Sequence, residues 1–388
     1  MRVLHIISSG GMYGAEAVIL NMSRTLNEGP HRSTLGVFSN SSKPNLQLHE
    51  NASREGIESH LIPCRGRLDR VAIRRIRELA VQVRADVVHA HGYKADLYVY
   101  FALRGSNTPL ISTCHTWYNR DPKDHFFGIV DRLILRNYGS IVAVSEDVQG
   151  QLLRAGVRAD KISMIRNGID LRTFDRASVV LKDELGWSDC PLVGLVGRLS
   201  MEKGVDIFLT AAARVLDHFP IAKFVVVGDG PDRDKLDALI DKLSIRGSVR
   251  MLGRRDDMPA VYASLDLMVS SSRREGLPIA ILEGMANRLP LIATPVGAVP
   301  TVVLDGSTGV LVPAEAPELL ATGIIELLHD EARRERLGSA ARQLVEDQFS
   351  AQRMTADYLR VYEAAAASAV KRQGREEKSS VDLRGSSK

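Results

Sequence analysis

The feature that most narrows what this chain can fold into is its alternation of short apolar runs with helical patterns. In the first half, strand-like runs stand at Val3–Ile7, Thr34–Phe38, Ile57–Ile62, Val87–Ala90, Leu110–Thr113 and Ile141–Val144, with helical stretches between most of them. Such alternation predicts an α/β chain built on a parallel, doubly wound sheet, in which ligands collect beyond the carboxyl ends of the strands. The second half repeats the pattern with PLVGLVG, KFVVVG and VRMLG, and then with a strand-helix-strand unit from Leu265 to Gly297. A chain of 388 residues is long enough for two such domains with separate cores.

Polar residues that break this apolar pattern are therefore candidates for chemistry. In the Leu265–Gly297 unit, a helix with Pro278 in its first turn is bracketed by Glu275 and Glu283. Glu275 falls in the loop before the helix, where backbone N–H groups lack partners and the positive end of the helix dipole faces outward, a setting that suits an anionic or polyhydroxyl ligand. Glu283 reads as about two turns into the helix, placed to hydrogen-bond a second part of the same ligand. Ile279, Ile281, Leu282 and Met285 fix that helix on the sheet. After PLVGLVG comes RLSMEKGVD, with Arg198 at a strand end and Lys203 at a helix start. Both can converge on one diphosphate and neutralise charge as a nucleoside diphosphate departs. In GDGP, Gly228 and Gly230 make a tight turn, Pro231 suits a first helical position and Asp229 can cap the helix.

The first half offers three further groups. Gly10, Gly11 and Gly14 lead from the first strand into a helix near Ala15; they either let backbone approach phosphate or sugar or form a plain turn. The spacing is not GxGxxG and no acidic residue ends the second strand, which disfavours a dinucleotide. His89 and His91 share one face of the fourth strand, a conceivable metal pair for which the sequence offers no third ligand; they read more simply as polar residues lining a cleft. His115 stands where the fifth strand stops, with Trp117 and Tyr118 as a wall for an acceptor, and Phe126 and Phe127 lie on an amphipathic helix beyond. Ser145 reads as an N-cap and Asn167-Gly168 as a turn.

EGLPIAILE resembles the E-x7-E signature of the retaining glycosyltransferases of family 4, GRLSMEKG their G-R-x-x-x-x-K-G pattern, GDGP their G-x-G-P, and IRNGID the segment between their domains. Gly284 stands where that family more often has alanine. The resemblance implies a GT-B fold of two Rossmann-like domains facing across a cleft, and a metal-independent, retaining transfer from a nucleotide-diphosphate sugar that needs no other cofactor. A UDP-sugar is favoured over GDP-mannose, with a glycan or lipid-linked acceptor, as in surface polysaccharide or glycolipid assembly. It assigns the leaving diphosphate to Arg198 and Lys203, ribose hydroxyls to Glu283, and the sugar to Glu275 with the backbone of Gly276, Leu277 and Pro278. Backbone at Met251 and Leu252 meets the base, Gly228 lines the site, and Gly11, Gly14, His115 and Asn167 complete the cleft from the other domain. Expected boundaries are 1–174 for the acceptor-side domain, 175–348 for the donor-binding domain, 349–367 for a helix returning to the first domain and 368–388 for a disordered tail. A nucleotide-sugar-binding subunit without turnover and a GT-B epimerase are the rival readings.

Charge adds one partner. The net charge is only +4, but Arg65, Arg67, Arg70, Arg74, Arg75, Arg77 and Arg84 crowd one region with Leu68, Val71, Ile76, Leu79 and Val83 between them. Such a helix suits an anionic membrane surface, or is simply a solvated face. Nucleic acid is disfavoured because aromatics do not alternate with the basic residues. No apolar run is long enough to span a membrane, and the N-terminus reads as a first strand rather than a signal peptide, which points to the cytoplasm, with peripheral attachment at the inner face of the plasma membrane. Cys64, Cys114 and Cys190 lack paired spacing and read as buried reduced thiols.

Overall fold

The computed structural model describes residues 1–9, 11, 14–40, 45–66, 68–114, 133–175, 178–276 and 279–385, with side chains as far as residue 370. It comprises two units, Met1–Asn167 with Ala351–Lys388, and Gly168–Ser350. The division falls between Asn167 and Gly168, where the chain runs without the turn that the sequence suggests, rather than near residue 174, because Ile169 already bridges to Ser350 in the second unit.

The first unit holds a seven-stranded sheet of order β3-β2-β1-β4-β5-β6-β7. Its strands are β1 (Arg2–Ile7), β2 (Arg32–Asn40), β3 (Glu58–Cys64), β4 (Val87–His91), β5 (Leu110–Cys114), β6 (Ser140–Ala143) and β7 (Ile162–Met164), all paired in parallel. Successive side chains of a strand point to opposite faces. Leu4, Ile6, Phe38, Ile62 and Val88 therefore pack on one side with Ile76, Leu79 and Tyr98 from the helices Arg70–Gln82 and Tyr93–Leu103. Ile7, Leu35 and Val37 pack on the other with Ile19 and Leu20 from the helix Gly14–Glu28. Ser145 caps the helix Glu146–Arg154, its hydroxyl accepting from Val148 N at 3.3 Å. β7 is too short to stand out in the sequence; only its pairing with β6 makes it a strand.

The second unit holds a six-stranded sheet of order β10-β9-β8-β11-β12-β13. The strands are β8 (Leu192–Val196), β9 (Lys223–Val227), β10 (Val249–Gly253), β11 (Leu267–Ser270), β12 (Leu291–Ala293) and β13 (Val310–Leu311). Residues 305–313 add β13 in parallel to β12, because residues 294–309 carry the chain back before it pairs. Val193, Leu195, Phe224, Val226, Leu267 and Val269 form the core with Phe208 and Val215 of the helix Val205–His218 and Ile324 of the helix Pro317–His329.

The helix Ala351–Gly385 belongs to the first unit, where Tyr358 and Tyr362 are fully buried. Its backbone is helical well past residue 367, where the sequence reading places a disordered tail. Residues 371–378 are mostly Lys, Arg, Gln and Glu, which lose little freedom in a helix, and adding residues to a formed helix avoids the cost of a new nucleus. Cys64 and Cys114 are buried and form no disulfide, whereas Cys190 is only half-buried. Among the described residues no helix is long and apolar enough to cross a membrane.

Candidate active site at the switch point of the second sheet

In an open parallel sheet the strand order reverses at one point, and the loops that leave it on either side diverge to open a crevice. In the second sheet that point lies between β8 and β11. The loop after β8 carries Arg198 and Lys203, and the loop after β11 carries Glu275. Their sequence separation is large, and the fold brings them into contact: Lys203 Nζ donates a short hydrogen bond to Glu275 Oε1. Ser272 Oγ donates to the same oxygen at 2.7 Å. The Glu275 side chain is 8% exposed and that of Lys203 24%, so the pair is largely shielded yet open on the lysine side. Arg198 is exposed and makes no side-chain hydrogen bond or ion pair among the described residues.

Backbone packing holds these loops to one another. Gly204, at φ +61°, follows the single turn Met201–Lys203, and a Cβ there would lie 2.0 Å from the Ser271 carbonyl oxygen. Ser271 Oγ donates back to the Gly204 carbonyl at 2.8 Å. Gly228, at φ +136°, is packed against the Gly197 carbonyl, where a Cβ would stand 1.9 Å away. On the far side Gly297, at φ +57°, abuts the Glu275 carbonyl, and Ala298 N donates to Gly276 O at 3.1 Å. Alanine at Gly297 would place its Cβ 1.8 Å from that oxygen. We expect Gly297→Ala to cost about 2–4 kcal/mol in urea unfolding, from left-handed strain plus overpacking. Gly56→Ala, at φ +71° with nothing within 4 Å, carries the strain alone and should cost about 1–2 kcal/mol. Equal losses in the two variants would show that the close approach has no energetic weight.

Arg273, two residues before Glu275, is not among the residues that the sequence singles out. Its guanidinium meets Asp206 through two bonds of 2.7 and 2.8 Å, Met201 O at 2.9 Å and the Glu315 carboxylate. Its own N–H donates to Glu202 O at 2.8 Å. Arg273 thus pins the Lys203 turn to the Glu275 loop, and it holds the Asp206 carboxyl below the usual carboxylate range. A basic residue beside the first glutamate and an acid three after the lysine were the available signals.

Other expected residues fall at the same ends of the strands. Glu283 sits in the described helix Ile279–Ala286 and accepts from the Tyr262 hydroxyl at 2.7 Å. Its carboxyl is pushed up by burial, an effect that the tyrosine's bond opposes. Met251 and Leu252 lie in β10, whose register against β9 shifts between Met251 and Gly253; the Met251 carbonyl is engaged by Arg233 at 3.1 Å. Asp229 does not cap a helix: its carboxylate accepts from Gly230 N at 2.8 Å, and the helix begins later, at Arg233, leaving Pro231 outside it.

In the first unit, Gly11 is tied to Ser9, whose hydroxyl donates to Gly11 O at 2.9 Å, and Gly14 opens the helix Gly14–Glu28. Asn167 is buried, and its side-chain oxygen has no hydrogen-bond partner among the described residues. His115, Leu277 and Pro278 lie outside the described residues, as do Gly10, Trp117, Tyr118, Phe126 and Phe127.

His89 and His91 do not line a surface, because the helix Ala351–Gly385 covers them: they are 0% and 5% exposed. A third histidine joins them, since His5 is the register partner of His89 on β1. One nitrogen of each can be chosen so that all lie within 4.8 Å of one another. Most of the ring nitrogens already have uses. His5 Nδ1 bonds His91 Nε2 at 3.1 Å, and His89 bonds the Tyr362 hydroxyl at 2.8 Å and Thr113 Oγ1 at 2.7 Å. His5 Nε2 is buried and has no hydrogen-bond partner among the described residues, whereas His89 would have to give up one of its bonds to ligate a metal. Burial pushes His5 down to about 3, so its ring is neutral.

Two family profiles match the chain: "Glycosyltransferase Family 4" over residues 12–173 and "Glycosyl transferases group 1" over residues 181–344. Among curated proteins, the chain is 29% identical to the alpha-D-kanosaminyltransferase of Streptomyces kanamyceticus, over 68% of this chain and 73% of that enzyme. It is 26% identical to the N-acetyl-alpha-D-glucosaminyl L-malate synthase of Bacillus anthracis, over 82% and 84%. Among solved structures, Anabaena Alr3699/HepE in complex with UDP-glucose superposes with a TM-score of 0.80 at 22% identity, covering 93% of this chain and 100% of that one. Sucrose-phosphate synthase from Thermosynechococcus elongatus superposes with a TM-score of 0.79 at 19% identity, covering 95% and 100%.

Proposed function

From the premise that this chain belongs to the group 1 glycosyltransferases of family 4 and has their GT-B fold, we propose a specific use for the site at the second switch point. The protein is a glycosyltransferase of the kind that uses nucleotide sugars. In our reading it moves the sugar with retention of configuration and without a metal, from a UDP-sugar in preference to GDP-mannose, onto a glycan or lipid-linked acceptor. The contact between Lys203 and Glu275 carries this reading. An ammonium group kept shielded and pre-positioned can meet negative charge as it develops on a leaving diphosphate, which lowers the barrier without reorganisation during the reaction. Arg198, five residues earlier in the same loop, supplies a second cation with no side-chain partner among the described residues to give up. Glu275 orients Lys203 and supports the sugar electrostatically; the departing phosphate takes the acceptor's proton.

The shift in the β10 ladder at Leu252 leaves backbone there free of regular pairing, which supports base contact through the main chain. HepE was solved with UDP and with UDP-glucose, which favours the uridine donor. The acceptor side carries a further hint. The helix Arg70–Gln82 buries Ala72, Ile76, Leu79 and Ala80 and exposes Arg70 and Arg74, while Leu68, Val71 and Val81 are 66%, 69% and 72% exposed. Basic residues interleaved with exposed apolar ones suit an anionic lipid surface that bears the acceptor.

One assay addresses the whole reading. Purified protein is incubated with UDP- and GDP-sugars in the presence of anionic or zwitterionic vesicles containing extracted lipid acceptors, and the anomeric configuration of the product is read by NMR. We expect release of UDP, an α-linked product from an α-linked donor, turnover that survives EDTA, and sedimentation with anionic vesicles only. Inversion, loss of activity with chelator, or tight donor binding with neither transfer nor hydrolysis would contradict the corresponding part. The last outcome would favour a subunit without turnover, and free altered sugar would favour an epimerase.

A further inference from the structure

Tyr262 lies in the helix Met258–Ala263, between β10 and β11, and is completely buried. Its hydroxyl donates to Glu283 Oε2 at 2.7 Å. No other hydrogen bond to the Glu283 side chain exists among the described residues, so Oε1 remains open to a ligand. We propose that Tyr262 is a positioning residue for donor binding, fixing the Glu283 carboxylate so that Oε1 is presented to the ribose of the nucleotide. The inference rests on the ribose-binding reading of Glu283.

The tyrosine is itself immobilised. Phe174 packs edge-on against its ring, with centroids 6.2 Å apart, and the helix end is tied down where Ser264 Oγ accepts from Val180 N and Leu181 N at 3.2 and 3.1 Å. A free glutamate side chain loses several rotamers when it binds a ligand; here that ordering precedes the nucleotide, so less of the binding free energy is lost to it. The hydroxyl also opposes the effect of burial on the charge. Burial alone favours the protonated acid, and a donated hydrogen bond favours the carboxylate that can accept from a ribose hydroxyl. Burial pushes the phenol far up, so Tyr262 acts as a donor throughout the working range.

The test compares UDP with 2′,3′-dideoxy-UDP, and GDP with its dideoxy analogue, by calorimetry on the full-length protein, Y262F and E283A, with melting temperatures recorded in parallel. The wild type should prefer the ribonucleotide of at least one pair by about tenfold or more, the worth of a hydrogen bond to a charged group. E283A should abolish the preference. Y262F, which keeps ring and volume, should reduce it to about threefold or less while binding the dideoxy nucleotide as the wild type does, and should raise the donor KM by a larger factor than it lowers kcat. Loss of preference in E283A but not in Y262F overturns the positioning role and leaves the ribose reading intact. Equal weakening of both nucleotides in Y262F assigns the tyrosine to general packing and also overturns it. Retained preference in E283A, or no preference in the wild type, removes the ribose reading and the proposal with it.

Discussion

Replacing Lys203 by alanine will lower sugar transfer by about 10²–10³-fold at saturating donor, the usual cost of removing one pre-positioned group that stabilises charge in a transition state. The loss should fall mainly on kcat, because the ammonium matters most when the bond to the diphosphate has stretched. The geometry also predicts how to separate chemistry from folding. Glu275 is 8% exposed and leans on Lys203, so K203A leaves a shielded carboxylate without its cation. That should cost about 1–3 kcal/mol, below the range for fully buried pairs because Lys203 is a quarter exposed. Converting the glutamate as well, in K203A/E275Q, should restore much of the melting temperature and none of the turnover. A K203A protein within threefold of wild-type turnover would mean that the charge on the leaving group is handled elsewhere, with Arg198 the next candidate.

The first unit should unfold progressively in mild acid, and His5 should be a main cause. Its ring is wholly buried and its folded pKa is lowered from 6.5 to about 3. Below pH 6.5 the unfolded chain's imidazole binds a proton and the folded one does not, so stability is full above that value and declines as pH falls. Each pH unit is worth about 1.4 kcal/mol, so about 3 kcal/mol is lost by roughly pH 4.5, and the decline levels off near the folded value. The groups facing the ring are His91, which shares its hydrogen bond, and His89, whose ring packs against it, both from the neighbouring strand, with the Tyr358 and Tyr362 hydroxyls beyond them. Burial pushes both phenols up, so neither titrates in this window. Carboxylates such as Asp206 and Asp257, held low by Arg273 and Arg255, lose their contributions only in stronger acid. Denaturant midpoints of wild type and His5→Phe between pH 7 and pH 4 will decide the matter. The variant should begin lower, for want of the His91 bond, and show a clearly flatter decline; parallel curves would clear His5 of any part in it.

How much of this was readable in advance depends on the range of each interaction. The two sheets were legible because a strand between helices must be apolar over several consecutive residues, a local property. The pairing of β7 and β13 was not, because each is only two or three residues long and draws its identity from a neighbour. At the site, Arg198, Lys203, Glu275 and Glu283 stood out as charges at the ends of apolar runs. Arg273 and Tyr262 did not, because nothing near them in the chain marks their partners: Arg273 meets Asp206, 67 residues away, and Tyr262 meets Glu283, 21 residues away. The histidines were misread for a similar reason. A strand pattern shows that His89 and His91 share a face, but not that Tyr358 and Tyr362 of a helix at the other end of the chain will cover it.

By itself, then, the order of residues settled the α/β class, two sheets, the loops where polar groups gather and the family whose motifs those loops carry. Only the tertiary structure decided which of those polar groups are partners and which are covered. That Lys203 neutralises Glu275, that Tyr262 holds one oxygen of Glu283, and that three histidines lie beneath the last helix all follow from strand order and register. These are set by burying apolar surface across the whole chain, a global condition that no short stretch encodes.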